Sequence, residues 1–139
     1  MASIKAISIR QPYAWLICHA DEYPDPKRIE NRTWRTKRRG LHLIHAGKKF
    51  DKAGYDHVLQ MRPDLAGMMP KPGQFELGGI VGAVNIVDCI SNSSSIWYAG
   101  QYAFVMEDPV PLPFFPCRGA LSFFSVDDVV PTAIFELLK

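Results

Sequence analysis

Lys27, Glu30 and Arg32 lie together in the stretch Lys27-Arg28-Ile29-Glu30-Asn31-Arg32-Thr33-Trp34-Arg35-Thr36-Lys37-Arg38-Arg39-Gly40. A carboxylate held among cations stays ionised. Glu30 can then orient an arginine toward a phosphate, or accept a proton from an amino or hydroxyl group. It can equally pin the segment as an ion pair with Arg32, and the residues alone leave both open. Lys27 can contact phosphate or, if desolvated, act as a nucleophile or base. Its neighbour Arg28 would help lower its pKa if both line one cleft. In an extended segment Lys27, Ile29 and Asn31 point one way and Arg28, Glu30, Arg32 and Trp34 the other.

The surrounding charge is polarised. Between Lys27 and Lys52 there are ten basic and two acidic residues, while the remainder carries six basic and twelve acidic, so a net charge of +2 conceals a basic region. Concentrated positive charge beside aromatic and amide groups suits a phosphate-bearing partner. Arg28, Arg32, Arg35, Arg38, Arg39, Lys48 and Lys49 are the candidate phosphate contacts. Trp34, Trp97 and Tyr98 could stack a base, or each could pack in the core. His45 stands at a strand end before Ala46-Gly47-Lys48-Lys49, placed either to line a cleft or to make ordinary hydrogen bonds. His42 and His45 are three apart on a strand and face opposite sides, with no cysteine or carboxylate at ligand spacing, so no metal site and no cofactor is expected. His19 and His57 read as helix-surface residues. No Ser-His-Asp set can be placed from the sequence.

These groups need a scaffold. The chain of 139 residues, 47% hydrophobic and 12% aromatic, fits one domain (1–139) with a real core. Ile4–Arg10 reads as a strand, Gln11-Pro12 opens a helix carried by Tyr13–Ala20, and Asp21–Pro26 breaks it. Ile29–Arg35 is extended. Leu41–Ala46 alternates as a strand that Gly47 ends. Asp51–Met61 is a weak helix with Asp51 as N-cap. Arg62–Leu77 is a loop, and Gly78–Ile90 is the strongest strand. Tyr102–Met106 is another, followed by a stretch with four prolines, Pro109 to Pro116. Leu121–Val126 is the last strand and Pro131–Leu138 a closing helix. Short strands between Gly/Pro turns, with two or three short peripheral helices, imply an α+β fold whose small mixed sheet curls into a β-barrel.

No apolar run approaches the ~20 residues of a membrane span. The opening Met1-Ala2-Ser3-Ile4-Lys5 lacks a secretory pattern. Cys18, Cys89 and Cys117 are odd in number and widely spaced, which reads as reduced, mostly buried thiols in a cytoplasmic protein; a monomer is expected.

Lys27-x-x-Glu30-x-Arg32 resembles the core of the ASCH family motif, G-x-K-x-x-E-x-R. Further similarity runs in order along the chain: Ile7-Ser8-Ile9-Arg10-Gln11-Pro12-Tyr13-Ala14, then Gly40-Leu41-His42-Leu43-Ile44-His45-Ala46, then Gly79-Ile80-Val81-Gly82 up to Asp88-Cys89. Trp97, Gly100 and Tyr102-Ala103-Phe104-Val105 follow, and Arg118-Gly119-Ala120-Leu121-Ser122-Phe123-Phe124 closes the set. Asp25 stands where the motif has Gly. The resemblance implies a PUA-like barrel whose motif lines a cleft, and RNA or a nucleotide as ligand. Some small members are assigned hydrolysis of modified cytidines and at least one resembles a ribonuclease. An enzyme of this kind would use Lys27 and Glu30, with Ser122 as a hydroxyl near the last strand. The cytidine-amide hydrolases of the family have Thr three residues after the motif Lys, where this chain has Glu30.

Overall fold

The computed structural model describes residues 4–139; Met1, Ala2 and Ser3 of the opening segment lie outside it. Six strands form one mixed sheet: β1 (Lys5–Gln11), β2 (Ile29–Arg32), β3 (Gly40–Phe50), β4 (Gly79–Ile90), β5 (Tyr102–Pro116) and β6 (Phe123–Ser125). Their order is β2-β5-β4-β3-β1-β6. Only the β1–β3 pair is parallel, and Ser8 stands opposite His45 in its register. Three short helices accompany the sheet: α1 (Tyr13–Cys18), α2 (Lys52–Met61) and α3 (Thr132–Glu136).

The α+β mixed sheet matches the sequence expectation. The expected barrel is not closed by backbone hydrogen bonds, because β2 and β6 are both edges of the ladder. Side chains bridge them instead. Trp34, just past β2, meets Phe104 of β5 at 5.1 Å and Phe123 of β6 at 5.8 Å, both edge-on. Phe104 and Phe123 stack at 6.0 Å. Such aromatic pairs add about 0.5–1.5 kcal/mol each beyond buried area.

Several boundaries differ from the sequence reading for local reasons. Gly47 does not end β3, which runs on to Phe50. β5 continues through the proline stretch. Pro109, Pro111 and Pro113 are spaced two apart, in a stretch where the β4–β5 register shifts. Beyond Met106 no described strand pairs with β5 on the side away from β4. Proline is tolerated on such an edge. The last strand keeps only three residues; Leu121 is 95% exposed and Ser122 takes a turn conformation with φ 58°. Residues 62–77 hold two short 3-10 turns rather than pure loop.

Helix α2 starts as expected, with the Asp51 carboxylate accepting the Gly54 N–H at 2.8 Å. Helix α1 is shorter than expected, ending at Cys18. Gln11 secures its start, its Oε1 accepting the Trp15 N–H at 2.8 Å. Ala14, Ile17 and Cys18 pack with Ile7, Ile9, Ile44, Val84 and Phe104 in the main core. The approach of α1 to β4 requires Gly82: a Cβ there would collide with Cys18 Sγ and lie 2.9 Å from the Val110 carbonyl.

Gly82→Ala should therefore lower stability by about 1–3 kcal/mol through overpacking. Chemical denaturation checks this, and an unchanged midpoint would mean that α1 is not fixed by that contact.

Candidate functional site

The basic segment reaches its site through a turn and a short strand. Asp25, the position where the motif has Gly, adopts φ 47°. That left-handed backbone is one that Gly favours and Asp tolerates. Lys27 follows, its N–H donated to the Tyr23 hydroxyl at 3.0 Å. Strand β2 then pairs antiparallel with β5, Glu30 opposite Phe104 and Arg32 opposite Tyr102. β2 ends in the bend that carries Trp34 into the aromatic cluster.

Lys27 is 2% exposed. Its Nζ donates to the Ile29 carbonyl, lies 3.9 Å from Glu30 Oε1 and sits 5.5 Å from the centre of the Tyr13 ring. Burial pulls its pKa below the usual lysine value; Glu30 opposes that shift and Arg32 adds to it. Glu30 Oε2 accepts from Arg32 Nη2 at 3.0 Å. The same Nη2 donates to the backbone carbonyl of Ser8 at 2.9 Å. β6 pairs with β1 only over Lys5–Ile7, so Arg32 caps β1 just past the end of that pairing. The buried Nε of Arg32 has no protein partner.

Lys27, Glu30 and Arg32 line one cleft of about 360 Å³ between β1, β2 and α2. Strict alternation would have set Lys27 opposite Glu30. Lys27 precedes the strand, and its side chain folds back onto the same side. Arg28 goes elsewhere: it pairs with Asp21 at 2.9 Å, half exposed, so Arg32 and not Arg28 is the cation that acts on Lys27.

The cleft also gathers residues that the sequence did not single out for it: Ser8, Arg10, Tyr13, Asn31, Asp51 and His57. Asn31 shapes its rim. Its amide donates to the Trp97 carbonyl and accepts from the Ala99 and Gly100 N–H groups, tying the segment before β5 to β2. Trp97 thereby forms part of the wall, its indole N–H donated to the Asp25 carbonyl at 3.0 Å. His57, expected on an outer helix surface, faces the cleft from α2.

The remaining candidates lie outside it. Trp34 is packed in the core. Arg35 lies over the Tyr102 ring at 5.1 Å and Arg39 is 3.8 Å from Asp88. Arg38 donates to His42 Nε2 at 2.8 Å and covers Phe123. Tyr98 donates to the Gln101 carbonyl. Lys48 and Lys49 are exposed on β3, and Ser122 sits in its exposed turn. The structure therefore separates a cleft triad from a broader basic surface.

His42 and His45 are both buried, on opposite faces: His42 packs on Phe123 and His45 on the next residue, Phe124. His45 Nε2 bonds the Cys117 carbonyl at 2.8 Å and its Nδ1 faces Ser8 Oγ at 3.0 Å. Since a carbonyl only accepts, Nε2 carries the proton and Nδ1 is the acceptor. Desolvation lowers the pKa of both histidines, against the pull of their backbone hydrogen bonds. Among the described residues no group of three His, Cys, Asp or Glu is placed to hold a metal ion, and no helix is long and apolar enough to cross a membrane.

Two outcomes follow. Both histidines resist protonation in the folded chain, so below their usual value of 6.5 the unfolded state binds more protons. Stability should fall as pH drops from about 7 to about 5, and the fall should shrink in a His42→Gln, His45→Gln double variant; urea titrations across that range check it. Burying an amine is unfavourable, so Lys27→Met should leave the urea midpoint unchanged or raise it. A loss of about 3 kcal/mol or more would instead make the amine a structural partner of Glu30.

Comparison with known proteins gives the family of the chain. The ASCH domain model matches residues 7–106, from β1 through the cleft segment to β5. No curated protein matches the chain. The match covers well over half the sequence and includes the Lys27, Glu30 and Arg32 cluster, and the chain belongs to the ASCH domain family.

Proposed function

We infer that the cleft binds RNA, or a nucleotide, through its phosphate and base together. The observation that carries this reading is the state of Arg32. Its Nη2 is committed to Glu30 and the Ser8 carbonyl, which holds the fork in place where it lines the cleft. Arg has five N–H donors in a fixed fork. The Arg32 side chain as a whole is 21% exposed and lines the cleft, so it presents further N–H donors to an anionic ligand. Glu30 holds the fork in place and supplies an acceptor for a base amino group. A cleft of about 360 Å³ suits one nucleotide, since small-ligand sites run from roughly 300 to 1,000 Å³. The broader basic surface, Arg35, Arg38, Arg39, Lys48 and Lys49, would carry the neighbouring phosphates of a single strand. The ASCH family is associated with RNA binding, and the three free cysteines fit a reducing, cytoplasmic setting.

Lys27 supports a second reading, a hydrolase or ribonuclease in which a desolvated amine serves as base or nucleophile with Glu30. Its near-complete burial and lowered pKa are the observations in favour. Glu30 in the place of Thr argues against the amide-hydrolase variant, and Ser122, in its exposed turn, is not among the cleft residues.

Binding to a short single-stranded RNA should weaken with salt. With ~3–5 phosphates neutralised, log K should fall against log salt with a slope of roughly −2 to −3.5; a flat response would defeat the phosphate reading. Arg32→Lys keeps the charge but loses the fork, and should cost about 1–3 kcal/mol of binding, clearly more than Arg38→Ala or Lys49→Ala. Equal losses at all three would leave only bulk charge. For the second reading, Lys27→Arg cannot deprotonate and should lower turnover by ~10²-fold or more if the amine is the base. Full turnover in that variant would exclude Lys27 as base or nucleophile.

A further inference from the structure

We propose that Ser8 and His45 form a nucleophile–base pair that opens onto the cleft and acts on a small ester or amide bearing an anionic group. Three groups stand in line. Ser8 Oγ is 3.0 Å from His45 Nδ1, and His45 Nε2 is 2.8 Å from the Cys117 carbonyl. The carbonyl fixes the ring and its tautomer, the task a carboxylate performs in a Ser-His-Asp set. The parallel register of β1 on β3 places the two residues side by side. His45 is 2% exposed and also wedged against Phe124, so its orientation is held. Ser8, in contrast, lines the cleft.

Gly119 supplies a second, independent observation. A Cβ at that position would lie 3.3 Å from Ser8 Oγ and 3.0 Å from His45 Nδ1. It would also come 2.7 Å from His45 Cε1, so only glycine lets this backbone pack against the pair without displacing the imidazole. The cations nearest in the cleft set the ligand class. Arg32 holds the Ser8 carbonyl, and Arg10 lies two residues along the same face of β1. An acyl compound with an anionic end fits between them. This site uses neither Lys27 nor Glu30, and it stands whether or not the cleft binds RNA.

The chemistry balances with water as co-reactant. Ser8 Oγ bonds to the acyl carbon and its proton passes to His45 Nδ1. The bond from that carbon to the leaving oxygen or nitrogen then breaks, and His45 returns the proton to the departing group. Water, giving a proton to Nδ1, attacks the acyl carbon. The Ser8 oxygen leaves with that proton, releasing a carboxylic acid.

The test treats the full chain with a fluorophosphonate probe and, separately, with p-nitrophenyl acetate, and maps the adducts by peptide mass spectrometry. The expected result is one adduct, on Ser8, formed at least ~10²-fold more slowly in His45→Gln. Ser8→Ala should abolish it, and Ser8→Cys should restore the acetyl adduct from p-nitrophenyl acetate, as a thioester. Gly119→Ala, whose Cβ would collide with the His45 ring and displace the base, should also suppress labelling while circular dichroism stays native. Circular dichroism of Ser8→Ala and His45→Gln shows whether either has simply unfolded; Ser8→Cys keeps the test alive if so. An unlabelled protein, an adduct on Lys27 or any other residue, or labelling unchanged in Ser8→Ala would overturn the proposal.

Discussion

Arg32 joins two parts of the molecule that no backbone hydrogen bond connects. Its Nη2 bonds a carboxylate on its own strand and a backbone carbonyl on β1, at a point that β6 no longer covers. The two edges of an open sheet are thereby drawn together beside the cleft, while Trp34, Phe104 and Phe123 do the same through apolar contact. The cleft depends on both. Without the guanidinium, Glu30 would be a largely buried carboxylate with only the Lys27 amine near it, and the Ser8 carbonyl would lose its partner. Charge-assisted hydrogen bonds are short and directional, which makes this a positional constraint as well as an energetic one.

Around that link the fold keeps polar groups in places where apolar ones would pack more cheaply. Lys27, His42, His45 and Gln11 are all buried. Gln11 is satisfied at both ends, by the Trp15 N–H and the Glu76 carbonyl, and the histidines are held by backbone carbonyls and by Ser8 and Arg38. Gln11 and His42 have clear structural roles. Lys27 is different. One backbone carbonyl and a carboxylate 3.9 Å away are thin support for a buried amine. Proteins retain poorly supported charge chiefly where it serves a site.

The amino-acid sequence discloses what is local. Asp51 capping α2, the β-branched run of β4 and the proximity of Lys27, Glu30 and Arg32 all follow from neighbours a few residues apart. Capping, strand propensity and ion pairing act at that range. What sequence reading misses depends on long-range register. Ser8 meets His45 because β1 lies parallel to β3 in one alignment, a fact that no periodicity encodes. His57 faces the cleft because of where α2 docks, although its position on a helix was correctly read. The prolines after Met106 resemble a loop in isolation, yet they remain in β5 because one side of that strand has no strand partner. Arg28, adjacent to the site in sequence, leaves it because Asp21 offers an exposed partner on the other side.

That proline-lined margin of β5 also bears on how the molecule behaves in a crowd. A bare strand edge is a template for another chain, which must find both donors and acceptors along it. With N–H groups absent at Pro109, Pro111 and Pro113, an approaching strand would find fewer donors along this stretch. Such a ladder propagates poorly. A sheet left unclosed by its own hydrogen bonds can therefore stay open in concentrated solution without recruiting copies of itself along this edge.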